Sequence, residues 1–181
     1  IFEQRYLDLV AHCMRESEGF GVVWLQRGSE VSGGSLDTPN VGEYGTYARI
    51  VDWDQLPNGL LGITIEGHEP FDVRSVWQEP SGLVKAKVDW RDIPETMRLP
   101  DHHASLAEVL GGLLRHPQIQ RLQLDSDLTD GWRVGSQLAQ LLPIDEGLKY
   151  QLQGLTSVEQ LLEEMDNILV ELSGESGRTG R

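Results

Sequence analysis

The sequence predicts an α+β protein: an antiparallel sheet or small barrel, then a bundle of helices. Three observations carry this. Up to about residue 97, short runs of β-branched and aromatic residues alternate with Gly, Pro and Asn turn signals. Beyond it the apolar residues recur at helical spacing. Strands and helices are segregated along the chain rather than interleaved, which opposes a parallel α/β fold.

The elements follow in order. Residues 3–16 read as a helix, with Tyr6, Leu9, Val10 and Cys13 on one face. Gly19 and Gly21 end that pattern, and "FGVVWLQ" (20–26) reads as a strand. Residues 27–45, rich in Gly, Ser and Asp, read as a long loop. "TYARIVDW" (46–53) and "LLGITIE" (60–66) are strands about an Asn58–Gly59 turn. Gly67 marks a further turn, and "FDVRSVW" (71–77) and "LVKAKVDW" (83–90) form the next hairpin across "EPSG".

The helical part opens after the Pro-containing connection 92–101. Ser105 and Glu108 read as a capping box ahead of a stripe of Leu106, Val109, Leu110, Leu113 and Leu114, which Pro117 ends. A second helix starts at Asp130 and stops at Pro143, with Val134, Leu138, Leu141 and Leu142 on one face. A short helix fits 145–153. The last runs from Thr156 or Ser157 to Leu172, with Gly174 as its stop. The expected organisation is a β subdomain over 1–97, a helical subdomain over 98–173 and a loose tail over 174–181.

Composition narrows the function. The 181 residues are 39% hydrophobic and 24% charged, a globular balance. No run approaches the roughly 20 apolar residues that span a bilayer, and no signal-peptide pattern is present, so no membrane partner is expected. The first residue is Ile1, so the natural N-terminus is expected to lie elsewhere. One cysteine, Cys13, excludes an intrachain disulfide and a cysteine-based zinc site and fits a reducing, cytoplasmic setting. Net charge is −14. Residues 1–100 carry 9 basic against 16 acidic residues and 101–181 carry 6 against 13, so each part is net −7. Both would repel nucleic acid, and no nucleic-acid partner is expected.

No arrangement of residues makes a catalytic site, so none is assigned. His12 and Cys13 are adjacent, but on a helix neighbours point about 100° apart. Cys13 belongs to the apolar stripe and His12 to the polar face with Asp8 and Glu16. His102–His103 lack the further ligands that a metal needs and read as linker residues. Neither a metal nor a cofactor is expected. Asp52 and Asp54 would share one side of a strand end, an arrangement open to acid–base chemistry but more simply a solvated rim. The glycine-rich stretch lacks the lysine and following helix of a phosphate cradle, and no nucleophile elbow occurs.

The aromatics say more. In 46–53, Ala48 and Ile50 share one face while Tyr47, Val51 and Trp53 lie on the other. A strand apolar on both sides is either covered, here by the first helix, or offers a docking surface. With Trp24, Leu56 and Leu60, these residues form the candidate peptide-binding set.

The order of motifs resembles the N-terminal domain family of Lon proteases. "IFEQRYLDLVAHCM" followed by "GFGVVWL" is similar to the family's opening, and "GTYARIVDWDQLPNGLLGITIEG" (45–67) to its central hairpin, including Ala48, Ile50 and Gly67. Phe71 and Val73 fall where the family has its next strand, and "WRVGSQLAQLLPI" (132–144) resembles its Leu-Leu-Pro helix end. The resemblance runs over about 1–172. It implies a PUA-like β pseudo-barrel followed by a helical bundle, and a non-catalytic module that recognises polypeptides and self-associates weakly. The family's ATPase and protease motifs have no counterpart in these residues. Its first strand, with a Phe-Pro-Gly turn before Ile-Phe-Glu, does not occur in these residues: either it was disordered or removed, or the edge it covers lies open.

Unfolded or exposed apolar polypeptide segments are the expected partners, held weakly and with little salt dependence, on a hydrophobic patch of the β subdomain or in the cleft between the subdomains, with strand addition at an edge as an aid. The alternatives are an RNA-binding PUA-like protein, opposed by the charge, and a small enzyme built on Asp52 and Asp54 or on His12 and Cys13.

Overall fold

The computed structural model describes residues 1–25 and 40–176. Most of the glycine-rich stretch predicted as a loop, and residues 177–181 of the predicted tail, lie outside them. The chain divides into two compact units, Ile1–Ile93 and Pro94–Arg181.

In the first unit, α1 (Gln4–Glu16) precedes four strands, β1 (Phe20–Leu25), β2 (Val41–Gln55), β3 (Leu61–Gln78) and β4 (Val84–Trp90). They form one antiparallel sheet in the order β1-β2-β3-β4. Val10 and Cys13, at the centre of the predicted stripe, are the buried residues of α1. Both tight hairpins use the same local chemistry. In "LPNGL" the Gly59 N–H donates to Leu56 O and the Leu56 N–H to Leu60 O. In "EPSGL" the Gly82 N–H donates to Glu79 O and the Glu79 N–H to Leu83 O. Proline presets the first turn residue, and Gly59 and Gly82 take the left-handed φ of 80° and 84°.

Two expectations about β2 and β3 fail. Residues 41–45 are strand, not loop, and their glycines serve close packing. A Cβ on Gly45 would lie 2.8 Å from the Phe71 ring, and one on Gly21 2.9 Å from it. Phe71 is buried through this contact and stands edge-on to Trp90, ring centroids 6.0 Å apart. Gly67 makes no turn either. β3 runs through it, pairing Gly67 with Ala48 and Pro70 with Thr46, so His68 and Glu69 bulge opposite Tyr47 alone.

The second unit holds α2 (Ala104–Leu114), α3 (Pro117–Gln120), α4 (Gly131–Leu141), α5 (Glu146–Gln153) and α6 (Val158–Ser176). Leu106, Leu110, Val134, Leu138, Leu161, Leu162 and Met165 are fully buried together, and each contributes about 1.5–3 kcal/mol of apolar burial. Asp130 caps α4 as its position predicts, accepting from the Trp132 N–H at 3.1 Å and also from the Met97 N–H at 3.2 Å. Asp145 caps α5 in the same way.

The predicted capping box of α2 is absent. A 3₁₀ turn, Asp101–His103, feeds α2 directly and leaves Ser105 inside the helix. His103, predicted as a linker residue, is only 5% exposed, and its Nδ1 bonds the Asp166 carboxylate on α6. The α6 helix also continues past Gly174, since a single glycine costs a helix only about 1 kcal/mol.

Two stability predictions follow from these contacts. A Cβ on Gly135 would lie 2.7 Å from Leu161 Cγ and Cδ2. Helix propensity alone would make Gly135→Ala stabilising by about 1 kcal/mol. Overpacking between α4 and α6 outweighs it, and urea melts should show a net loss of about 1–2 kcal/mol. His103→Ala removes the bond to the partly exposed Asp166 and opens a cavity at a buried position, and the same melts should show a loss of about 2 kcal/mol.

Candidate apolar docking surface

β2 and β3 are longer than their neighbours. The β1 ladder stops at Phe20↔Ala48 and the β4 ladder at Phe71↔Trp90. From Arg49↔Glu66 to Gln55↔Leu61, β2 and β3 pair only with each other among the described strands. The N-terminal residue also meets this arm: Ile1 and Leu61 exchange both backbone hydrogen bonds. A two-stranded ladder cannot bury its own apolar side chains. Accordingly Val51 is 54% exposed and Trp53 57%, with Leu56 and Ile65 also exposed.

A second bulge sets which way these residues face. Ile50 pairs with Ile65 and Asp52 with Thr64, so Val51 is an extra residue on β2. Partners across the ladder share a face, as do residues two apart on one strand. Trp53 pairs with Ile63, and Ile63 shares its face with Ile65. Ile50, Trp53, Ile63 and Ile65 therefore form one apolar face. The alternation in the sequence placed Trp53 opposite Ile50; the bulge reverses it. Asp52 and Asp54, partners of Thr64 and Gly62, lie on the other face with Arg49 and Glu66.

The remaining residues of the candidate set are placed as follows. Tyr47 is half-buried, stands edge-on to Trp90 at 5.7 Å, and its hydroxyl accepts from the Gly19 N–H at 2.6 Å. Those contacts make it part of the sheet's own packing. Leu60 is half-buried in the turn, and Leu56 Cδ2 lies over Gly62, on the carboxylate-bearing face. Trp24 lies on β1 beside the start of β2, on the order of 30 Å of strand from Trp53. The structure thus gathers Val51 and Trp53 and adds Ile63 and Ile65, whose placement depends on a register that periodicity alone does not reveal.

Where α1 ends against β2, a groove of about 400 Å³ is lined by Cys13, Met14, Ser17 and Glu18 and by residues 49–53. His12 faces Glu18 at 3.7 Å, not Cys13. Cys13 is 2% exposed, and its Sγ–H points to Gly19 O at 3.6 Å. Burial, with the nearby Glu18 charge, pushes its thiol pKa up, the reverse of what a nucleophile needs. Among the described residues no group of three or more His, Cys, Asp or Glu side chains could hold a metal ion, and no helix is long and apolar enough to cross a membrane.

Comparison with known proteins agrees with this architecture. The profile of the substrate-binding domain of the ATP-dependent protease La (LON) matches residues 1–170. The crystal structure of a Lon N-terminal domain protein from Xanthomonas campestris is 32% identical, covers 91% of this chain and 84% of its own, and superposes with a TM-score of 0.73. The N-terminal domain of a Mycobacterium avium complex Lon protease, 14% identical with a TM-score of 0.52, covers 81% of this chain and 75% of its own, a likeness of fold alone. A search among curated proteins found no match. With its mixed α+β architecture and a match spanning nearly its whole length, the chain belongs to the Lon protease substrate-binding domain family.

Proposed function

We propose that this protein is a non-catalytic, cytoplasmic recognition module that binds unfolded or exposed apolar polypeptide segments through the two-stranded β2–β3 arm. The carrying observation is the exposed face of Trp53 and Ile65, with Val51 beside it, on a ladder that no other described strand covers. Large aromatic side chains held on a strand supply contact area at little entropic cost, which is why they anchor interfaces. Membership of a substrate-binding domain family supports the same reading.

Among the described residues the enzyme alternative rests on Asp52 and Asp54, which share one side of β2. His12 and Cys13 point apart, and Asp52 and Asp54 are exposed, as residues of a solvated rim are. RNA binding would need a basic footprint that a net charge of −14 does not provide.

Two measurements test the reading. In fluorescence anisotropy with a reduced, alkylated and unfolded protein as probe, the double variant Trp53→Ala/Val51→Ser should bind about tenfold more weakly. Trp24→Ser, on β1 beside the start of β2 and far from the arm, should bind like the parent. Unchanged binding by the double variant would remove the arm from recognition. Separately, a thiol reagent should label Cys13 far more slowly in the native protein than in urea. Cys13→Ala should cost on the order of 1 kcal/mol of stability while binding is retained. Rapid native labelling, or lost binding in a stable Cys13→Ala protein, would reopen the thiol-enzyme reading.

A further inference from the structure

The groove beside the arm has a chemistry that apolar contact does not use. Residues 49–53 line it consecutively, so it runs along the edge of β2 that β1 leaves free after Ala48. That edge offers little for strand addition, because the Trp53 N–H already donates to Asp52 Oδ1 at 2.8 Å. Its walls are apolar: Met14, Val51 and Trp53 are all exposed. Its polar lining is mainly anionic.

The C-terminal end of α1 closes on one side. Ser17, in the left-handed conformation, and Glu18 both donate their N–H to Cys13 O. The carbonyls of Met14, Arg15 and Glu16 receive no backbone N–H among the described residues. These carbonyls form the negative end of the helix dipole, which favours a cation. The Glu18 and Asp52 carboxylates add to it. Arg49 is the guanidinium in the lining, and it stands over the Tyr47 ring at 5.9 Å and opposite Glu66 in the ladder. His12 approaches Glu18 at 3.7 Å on the exposed side.

We infer that this groove takes the lysine or arginine side chain of a polypeptide segment whose apolar neighbours pack on the arm. The aliphatic stem lies along Met14 and Val51, the charged head meets Glu18, Asp52 and the α1 end at Met14, and the Trp53 ring is available for a cation–π contact. A second copy of this chain fits poorly, since joining two like grooves would bring their carboxylates together. The inference rests on the polypeptide-binding reading above and adds to it a charge preference, and with it a salt dependence that apolar contact lacks.

The test uses three fluorescent peptides of one apolar pattern, Gly-Leu-Arg-Leu-Arg-Leu-Gly, its Arg→Glu twin and its Arg→citrulline twin. Anisotropy should rank the arginine peptide about tenfold tighter than the glutamate twin at about 50 mM salt, with the gap closing at about 500 mM. Glu18→Gln/Asp52→Asn, which keeps side-chain shape and the acceptor for the Trp53 N–H, should bring the arginine peptide down to the citrulline twin. Glu163→Gln/Glu171→Gln, on exposed positions of α6, makes the same change in net charge and should leave the ranking intact. Equal binding of the three peptides overturns the inference while leaving apolar recognition standing. Equal loss in both double variants also overturns it, because the effect then belongs to the overall charge. Binding of none overturns both readings. Concentration-dependent self-association abolished by Trp53→Ala would assign the surface to a second copy instead.

Discussion

The register of β2 against β3 is the constraint on which the rest of the sheet depends. The two strands pair from Tyr44↔Asp72 to Gln55↔Leu61, and two bulges interrupt that ladder. Side chains on a strand alternate with a period of two, so each single-residue insertion reverses every residue beyond it. The His68–Glu69 bulge lets Phe71 and Ile65, which strict alternation would put on one face, take opposite ones. Phe71 thereby packs against Gly21, Gly45 and Trp90, while Ile65 faces outward at the arm. The Val51 bulge then brings Trp53 onto the face of Ile50 and Ile65.

Burying Phe71 and exposing Trp53 are consequences of the same ladder. The centre of the sheet has neighbours on both sides of β2 and β3 and can close around an aromatic cluster of Tyr47, Phe71 and Trp90. Among the described strands the arm beyond Arg49↔Glu66 has only its own two, and Val51, Trp53 and Ile65 stay exposed. Leaving such side chains exposed forgoes about 1.5–3 kcal/mol each. A surface that forgoes this much in the free protein regains it when a partner covers the face, which is the physical basis of the recognition role proposed above.

The second unit obeys simpler rules. Its core is a set of leucines at helical spacing, closed by Gly135 where α4 approaches Leu161 and by the His103–Asp166 bond between the 3₁₀ turn and α6. Asp130 holds the entry, receiving the N–H groups of Met97 and Trp132 through one carboxylate oxygen. These polar groups at the start of the unit fix how the chain enters a core that leucine packing alone would leave free to slide.

Sequence by itself determined the α+β class, the helix α1 with Val10 and Cys13 inward, both Pro-x-Gly hairpins, the start of α4 at Asp130 and the stripes of the helical core. Each of these rests on residues a few positions apart, where local sterics and periodicity decide. It also separated His12 from Cys13, because adjacent helical residues diverge. Only the tertiary structure decided that Gly42–Gly45 is strand, that β3 continues through Gly67, that His103 is buried and that Trp53 faces with Ile50. Those outcomes depend on partners far away in the chain: the ring that a glycine makes room for, the carboxylate that a histidine meets, and the strand whose register a bulge shifts by one residue.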